Sequence, residues 1–234
     1  RNFFGYGNES VNNDDALGMN FNRVRLSRME ASVGLLRNSD YGSTFSIQAL
    51  FEGIRVADNA LRYIDFVDII EQEERKYFGT IDATYEYHSA DNALAPTRGM
   101  DFILNGGFTN SLSDSGNRFA YLNPSMGFYN TISANRKLVL KTLARGQFRF
   151  GDDTEFYQAA TLGQSSGLRG YRFDRFTGNS AFSATGDVRY AFDTFKTGFL
   201  PLQIGVFGGY DIGRVWSDVD QDSEKWHDSY GIGF

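Results

Sequence analysis

The chain has 234 residues, of which 41% are apolar and 16% aromatic, with 26 glycines, no cysteine and a formal net charge of -6. No stretch approaches the roughly 20 consecutive apolar residues of a membrane-spanning helix, and the acidic balance disfavours a nucleic-acid partner, which needs a basic surface. The length fits one domain or part of a larger one. Because the sequence opens on Arg1 without a secretory signal, we expect a processed or truncated chain.

Alternation of apolar and polar residues dominates the sequence and predicts long β-strands. Ile81 and Ala83, for example, share one face of a strand while Asp82 and Thr84 share the other. The number of predicted strands is odd, whereas bacterial single-chain barrels have an even number. The chain is therefore expected to be part of a barrel, or a strand at 2–10 is missing from the prediction. Nine strands are predicted, at about 20–33, 43–55, 76–88, 98–109, 118–131, 136–150, 180–192, 201–216 and 228–234.

A membrane β-barrel and a water-soluble sandwich would both alternate, and three features favour the membrane. The predicted strands reach 12–14 residues, whereas strands of soluble proteins have about 5–6. Aromatic residues collect at the ends of the apolar faces, as in an interfacial girdle. Connections alternate between short and long, which is the pattern of periplasmic turns and external loops. The short ones lie near 37–41, 89–97 and 133–136, and the long ones at 56–76, 151–179 and 217–228.

The longest predicted connection, at about 151–179, is glycine-rich and contains the segment GLRGYR at 167–172. A loop of this length without its own secondary structure is usually functional. Acidic residues fall on the polar faces of the strands that follow it. The sequence therefore predicts a loop that is held inside a barrel lumen through an arginine.

Three short motifs lie in order along the chain: PTRG at 96–99, FYQAATLG at 156–163 followed by LRGY at 168–171, and GYDIGRVW at 209–216. They resemble motifs of the BamA/TamA-type superfamily of outer-membrane assembly and translocation barrels, the bacterial surface antigen family. The turn PTRG at 96–99 resembles the opening of an upstream strand of that family. The segment FYQAATLG at 156–163 followed by LRGY at 168–171 resembles the signature loop. The segment GYDIGRVW at 209–216 resembles a strand that ends in D-x-G-x-V-W.

The resemblance implies a 16-stranded barrel whose signature loop folds back into the lumen. It implies that Arg169, in the signature with Gly170 and Tyr171, pairs with Asp187 and Asp211 on the inner walls of the next two strands. Alternation independently places both aspartates on polar faces. Three further arginines are expected to line the same lumen and are weaker candidates for contacts with the loop: Arg145, Arg149 and Arg189.

The chain departs from the family pattern in extent. Its strands correspond to about the sixth to the fourteenth of the family barrel, so we expect one part of a barrel domain over 1–234, without POTRA modules or an enzyme domain. A competing interpretation takes YGIGF at 230–234 as a true C-terminal assembly signal. The opening NFFGYGNE at 2–9 resembles a subgroup whose barrels are fused to a metallophosphoesterase-like or patatin-like domain.

The resemblance implies a function in the bacterial outer membrane. The first hypothesis is insertion of outer-membrane proteins or translocation of polypeptide, with outer-membrane lipids, client outer-membrane proteins and accessory lipoproteins as partners. The first alternative is an anchor or exporter for an enzyme passenger domain, and the second is a diffusion porin. The barrel itself is not expected to be an enzyme or to hold a cofactor. His88 and His227 fall at opposite strand ends, so a shared metal site is not expected either.

Overall fold

A computed structural model describes residues 1–12, 18, 20–57, 62–67, 74–113, 116–151, 154–196, 198 and 200–234. Parts of two predicted long connections, 58–61, 68–73 and 152–153, therefore lie outside the described residues. Short 3₁₀ turns lie at Tyr63–Phe66 and Asp218–Asp220. The strands are β1 (Leu26–Asn38), β2 (Ser43–Val56), β3 (Arg75–His88), β4 (Gly99–Ser111), β5 (Arg118–Thr131), β6 (Leu138–Gly151), β7 (Ala160–Leu162), β8 (Phe176–Gly178), β9 (Ser180–Ala191), β10 (Phe195–Lys196), β11 (Pro201–Leu202), β12 (Gly205–Trp216) and β13 (His227–Gly233).

Nine long strands form one antiparallel sheet in the order β1-β2-β3-β4-β5-β6-β9-β12-β13. Strands β7 and β8 pair with each other in the loop between β6 and β9, and β10 and β11 form a small hairpin between β9 and β12. The prediction of an all-β chain with about nine strands in a transmembrane barrel sheet is confirmed. Among the described residues, no helix is long and apolar enough to cross a membrane.

Two predicted strand starts are wrong, and the contacts explain both. Residues 20–25 do not extend β1, because their backbone binds the beginning of the chain: Phe3 N donates to Asn22 O (2.8 Å) and Val24 N to Arg1 O (2.9 Å). The strand predicted from 201 begins at Gly205, because 201–202 belong to the β10–β11 hairpin. Residues 2–10 are not a tenth strand; they make isolated bridges to Arg23 and Thr177.

The sheet has one apolar and one polar face. Val33 and Ile81, on one face, are 75% and 62% exposed, and the rings of Phe51 and Tyr77 stack there 5.7 Å apart. A water-soluble sandwich would bury these side chains in its core, whereas a membrane barrel presents them to lipid. The opposite face is therefore the lumen side, and it carries the charged residues.

Polar side chains on the lumen face connect four neighbouring strands. Asp82 of β3 is buried and accepts hydrogen bonds from Gln48 of β2 (3.3 Å), Asn105 of β4 (2.6 Å) and Tyr121 of β5. Asn123 of β5 donates to Asn105 (2.9 Å). Since a buried carboxylate is costly unless it is hydrogen-bonded, this network fixes the lumen side chains across the sheet.

The connections between the strands differ in length at the two rims of the sheet. The rim with the longer connections, called the loop rim here, holds a cluster of buried apolar residues: Phe3, Val24, Ile54, Val56, Ile64, Phe78, Phe156 and Tyr157. The opposite rim, called the turn rim, has the connections at 39–42, 89–98, 132–137 and 192–204. The apolar cluster therefore joins the beginning of the chain, the ends of β2 and β3, and the loop after β6.

The turn at 89–98 is organised by Asp91. Its carboxylate accepts hydrogen bonds from the backbone N–H and the hydroxyl of Thr97 (2.7 and 2.6 Å) and from the backbone N–H of Arg98 (3.0 Å). The hydrogen bond from the Thr97 hydroxyl, together with those from the two backbone amides, lowers the pKa of Asp91 to about 2.

We expect this turn to loosen in acid. Because the pKa of Asp91 is lower in the folded protein than its ordinary 3.8, its contribution is complete above about pH 4 and is lost as the pH falls towards about 2. Hydrogen exchange at Thr97 and Arg98, corrected for the intrinsic rate, should accelerate in this window. In Asp91→Asn the corrected exchange should not change between pH 4 and 2; an equal acceleration in that variant would contradict the assignment.

Candidate functional site: the lumen loop

The loop between β6 and β9 carries its signature at a tight turn beyond β7. Leu168 N and Ser166 N both donate to Gly163 O (2.9 and 3.0 Å), and Tyr171 N donates to Leu168 O (3.1 Å). Leu168 is buried in an apolar cluster with Ala160, Leu162, Phe176, Ala181 and Val215. Burial of Leu168 under the loop therefore sets the direction in which the next side chain, Arg169, leaves the backbone.

Arg169 binds both aspartates that the resemblance implied. Its Nε donates to Asp211 Oδ2 and its Nη2 to Asp211 Oδ1, each at 2.8 Å, which is a bidentate contact. Nη2 also donates to Asp187 Oδ1 (2.6 Å), and the backbone N–H of Arg169 donates to Asp211 Oδ2 (3.0 Å). The hydrogen bonds that Arg169 donates to Asp211 have the largest effect on its pKa, and together with the hydrogen bond to Asp187 they raise it above the ordinary value. The guanidinium therefore stays charged.

The two aspartates differ in burial. The Asp211 side chain is 2% exposed and accepts a further hydrogen bond from the Ser229 hydroxyl (3.0 Å). The Asp187 side chain is 14% exposed. Because a buried carboxylate without a cation is strongly unfavourable, Asp211 is the carboxylate whose charge most depends on the loop arginine.

Two glycines open the wall beneath the arginine. Gly209 of β12 pairs with Asp187 of β9 and with Gly231 of β13. A Cβ on Gly209 would lie 1.9 Å from Asp187 Oδ1 and 2.5 Å from Arg169 Nη1, and a Cβ on Gly231 would lie 2.8 Å from Arg169 Cδ. We call this pair the glycine slot. Only residues without a side chain leave room for Arg169 to lie against the sheet.

The rest of the signature also touches the wall. A Cβ on Gly170 would lie 2.9 Å from the Cβ of Ser229, so the small residue permits close approach of the loop. The ring of Tyr171 packs edge-on against Phe176 (5.4 Å) and His227 (5.9 Å). Arginine, glycine and tyrosine thus each lie against β13.

The three weaker candidates fall in different places. Arg149 contacts the loop: its Nε donates to Gln158 O (3.0 Å), while Nη1 donates to Asn123 Oδ1 (2.8 Å). Arg189 lies at the turn rim, where Nη2 donates to Pro96 O (2.5 Å). Arg145 is exposed and makes no hydrogen bond or ion pair within the part of the chain that the structure describes. Of the three, only Arg149 joins the loop to the wall.

Gly209, Gly231 and Ser229 were not predicted as site residues from the sequence. The parity that placed Asp187 and Asp211 on the lumen face also places these three residues there. Glycines at lumen positions next to an acidic residue are the signal that would have indicated a side chain lying across the wall. Among the described residues, no group of three or more His, Cys, Asp or Glu side chains is arranged to hold a metal ion.

The sheet and loop together define a class of protein: a transmembrane β-barrel wall with a long loop fastened on its lumen side. The family model of the Omp85 superfamily domain matches residues 4–234, so the chain belongs to the Omp85 superfamily. It is accordingly a protein of the bacterial outer membrane.

A solved structure supports the fold. The structure of BamA from Haemophilus ducreyi lacking POTRA domains 1–3 matches with a TM-score of 0.69 at 17% sequence identity. The match covers 89% of this chain and 48% of that chain, so the present chain spans about half the length of the BamA structure. The comparison with curated proteins gives no match.

Replacing the arginine should destabilise the barrel. Arg169→Ala removes the cation from buried Asp211, and breaking a buried pair in this way costs about 3–5 kcal/mol. The temperature at which the folded band of the full-length protein disappears on an unboiled gel should therefore fall. Asp187→Asn with Asp211→Asn should add little to Arg169→Ala, since neighbouring partners are not additive. Arg145→Ala is the control, and fully additive losses would disprove the pairing.

The glycine slot can be tested with two adjacent residues. Gly209→Ala places a methyl group into Asp187 and Arg169, and we expect a loss towards the upper end of the about 1–3 kcal/mol typical of overpacking. Gly208→Ala places its methyl group on the lipid side, where the nearest atom lies 4.0 Å away, and should change stability by less than about 0.5 kcal/mol. Equal losses in unfolding titrations of the two variants would show that the slot has no special role.

Proposed function

We propose that this chain is part of a barrel that inserts outer-membrane proteins or moves polypeptide across the outer membrane. The observation that carries the proposal is the lumen loop of an Omp85 superfamily barrel bound by one arginine to two neighbouring strands. The loop connects β6 to β9 and is fastened to β9 and β12. It therefore couples the shape of the wall to the position of the loop, and no covalent chemistry is required.

The partners follow from this proposal. The apolar outer face binds outer-membrane lipids, and the clients are unfolded outer-membrane proteins or a passenger domain, with accessory lipoproteins as further partners. The residues in this role are Arg169, Asp187 and Asp211, which hold the loop, with Gly170 and Tyr171 beside them.

A barrel that anchors or exports a fused enzyme domain is the second candidate. The resemblance of 2–9 to the enzyme-fused subgroup favours it, although this segment is folded onto the barrel. The two functions use the same fold and differ in the polypeptide that is handled. The upstream sequence of the natural protein distinguishes them: POTRA repeats favour insertion, and a phosphoesterase-like or patatin-like domain favours the anchor.

Reconstitution of the full-length protein tests the function. We expect liposomes that contain the protein to accelerate the appearance of a folded, heat-modifiable outer-membrane protein client over empty liposomes, and Arg169→Ala to reduce the acceleration while Arg145→Ala does not. Absence of any acceleration would contradict insertion. A large, steady current proportional to salt concentration across a planar bilayer would instead support a diffusion porin.

A further inference from the structure

The first residues of the chain, 1–12, which we call the opening segment, are packed against the lumen loop. Phe3 and Phe4 are buried, and the ring of Phe3 lies 4.9 Å from that of Phe156 in the loop. The guanidinium of Arg175, also in the loop, lies 4.9 Å from the ring centroid of Phe4 and 4.5 Å from that of Phe176. The opening segment and the loop therefore share one apolar interface at the loop rim.

Backbone contacts extend this interface along the loop. Tyr6 and Thr177 form a parallel β-bridge, and Gly7 N donates to Thr177 O (2.8 Å). Arg175 donates through Nη1 to the Ser10 hydroxyl (2.8 Å) and through Nη2 to Ser10 O (2.6 Å). The segment thus binds β8 and the residues just before it.

Asn8 fastens the same segment to the barrel wall. Its Nδ2 donates to Val215 O (2.7 Å), and its Oδ1 accepts from Val215 N (3.0 Å). The pairing of β13 with β12 ends at His227 opposite Gly213, so Val215 lies beyond it. The buried amide of Asn8 therefore takes the hydrogen-bonding groups of β12 that another strand residue would use.

Two glycines make this arrangement possible. Gly5 and Gly7 have φ of 95° and 92°, which favours glycine. A Cβ on Gly7 would lie 2.5 Å from Asp220 Cγ, and Asp220 accepts a hydrogen bond from the backbone N–H of Asn8. Each conspicuous residue of FFGYGN at 3–8 consequently has a contact within the barrel.

We propose that the opening segment is a second lock on the lumen loop, with Asn8 and Arg175 as its positioning residues. Arg169 holds the tip of the loop against β9 and β12, while the opening segment holds the returning part of the loop, at 175–177, to the end of β12. The two locks use different side chains and different wall residues. The loop leaves the lumen only when both are released.

Thiol labelling measures this directly, because these 234 residues contain no cysteine and the full-length protein without the introduced cysteine gives the background rate. Thr177 is fully buried beneath the opening segment and its hydroxyl has no hydrogen-bond partner among the described residues, so Thr177→Cys is a mild probe. In the full-length protein in its membrane, Asn8→Ala should raise the labelling rate of this cysteine by a membrane-impermeant maleimide about tenfold, since two buried hydrogen bonds are lost. Val11→Ala, an exposed position of the same segment, is the matched control.

The outcomes decide the proposal. Equal labelling rates in Asn8→Ala and Val11→Ala would overturn it. Should Asn8→Ala not give the folded gel band, Arg175→Met takes its place, because methionine is an unbranched side chain that cannot donate a hydrogen bond to Ser10; a rate equal to that of the control would again overturn it. Separate locks predict that the fold-changes of Asn8→Ala and Arg169→Ala multiply, and a combined effect no larger than one of them would show a single lock. The assay needs no client, so its result is independent of the proposed function.

Discussion

The structure depends on one guanidinium that binds two carboxylates on neighbouring strands. Asp211 is almost completely buried in the wall of a barrel, and Arg169 is the cation that binds it. An ionised carboxylate in that position would be costly without its partner. The carboxylate of Asp211 has its cation only while the loop is in place. The barrel sheet at β9 and β12 is therefore most stable when the loop lies on its lumen side.

The two faces of the sheet are stabilised in different ways. The outer face gains stability from contact with lipid and needs no specific partner. The inner face is polar, and its groups bind one another from Gln48 across Asp82 and Asn105 to Asn123 and Arg149. Arg149 ends this network at the carbonyl of Gln158 in the loop. The wall from β2 to β6 is thus connected to the loop by hydrogen bonds, and that from β9 to β12 by ion pairs.

Local sequence patterns were sufficient to predict the strands of the sheet, but not the contacts of the opening segment with the lumen loop. Alternation located nine strands and the lumen position of Asp187 and Asp211, because side-chain direction in a strand follows from parity alone. The opening segment could not be assigned in this way. Its contacts join Phe3 to Phe156 and Asn8 to Val215, and nothing within the neighbourhood of either partner in the sequence indicates the other. Gly209 and Gly231 were detectable in principle by the same parity but mean little until the arginine that lies on them is placed.

The glycine slot also determines the electrical surroundings of the ion pair. At Gly209 and Gly231 the wall is reduced to the thickness of the backbone, and the neighbouring outward positions carry Gly208 and the exposed Tyr210, Tyr230 and Ile232. Lipid chains therefore begin one peptide layer behind the guanidinium. Hydrocarbon has a low permittivity and admits no dissolved ions, so water and counterions reach the ion pair from the lumen side, where the Arg169 side chain is 27% exposed, and not through the wall. The contact that holds the loop therefore has a medium of low permittivity on one side and the lumen on the other.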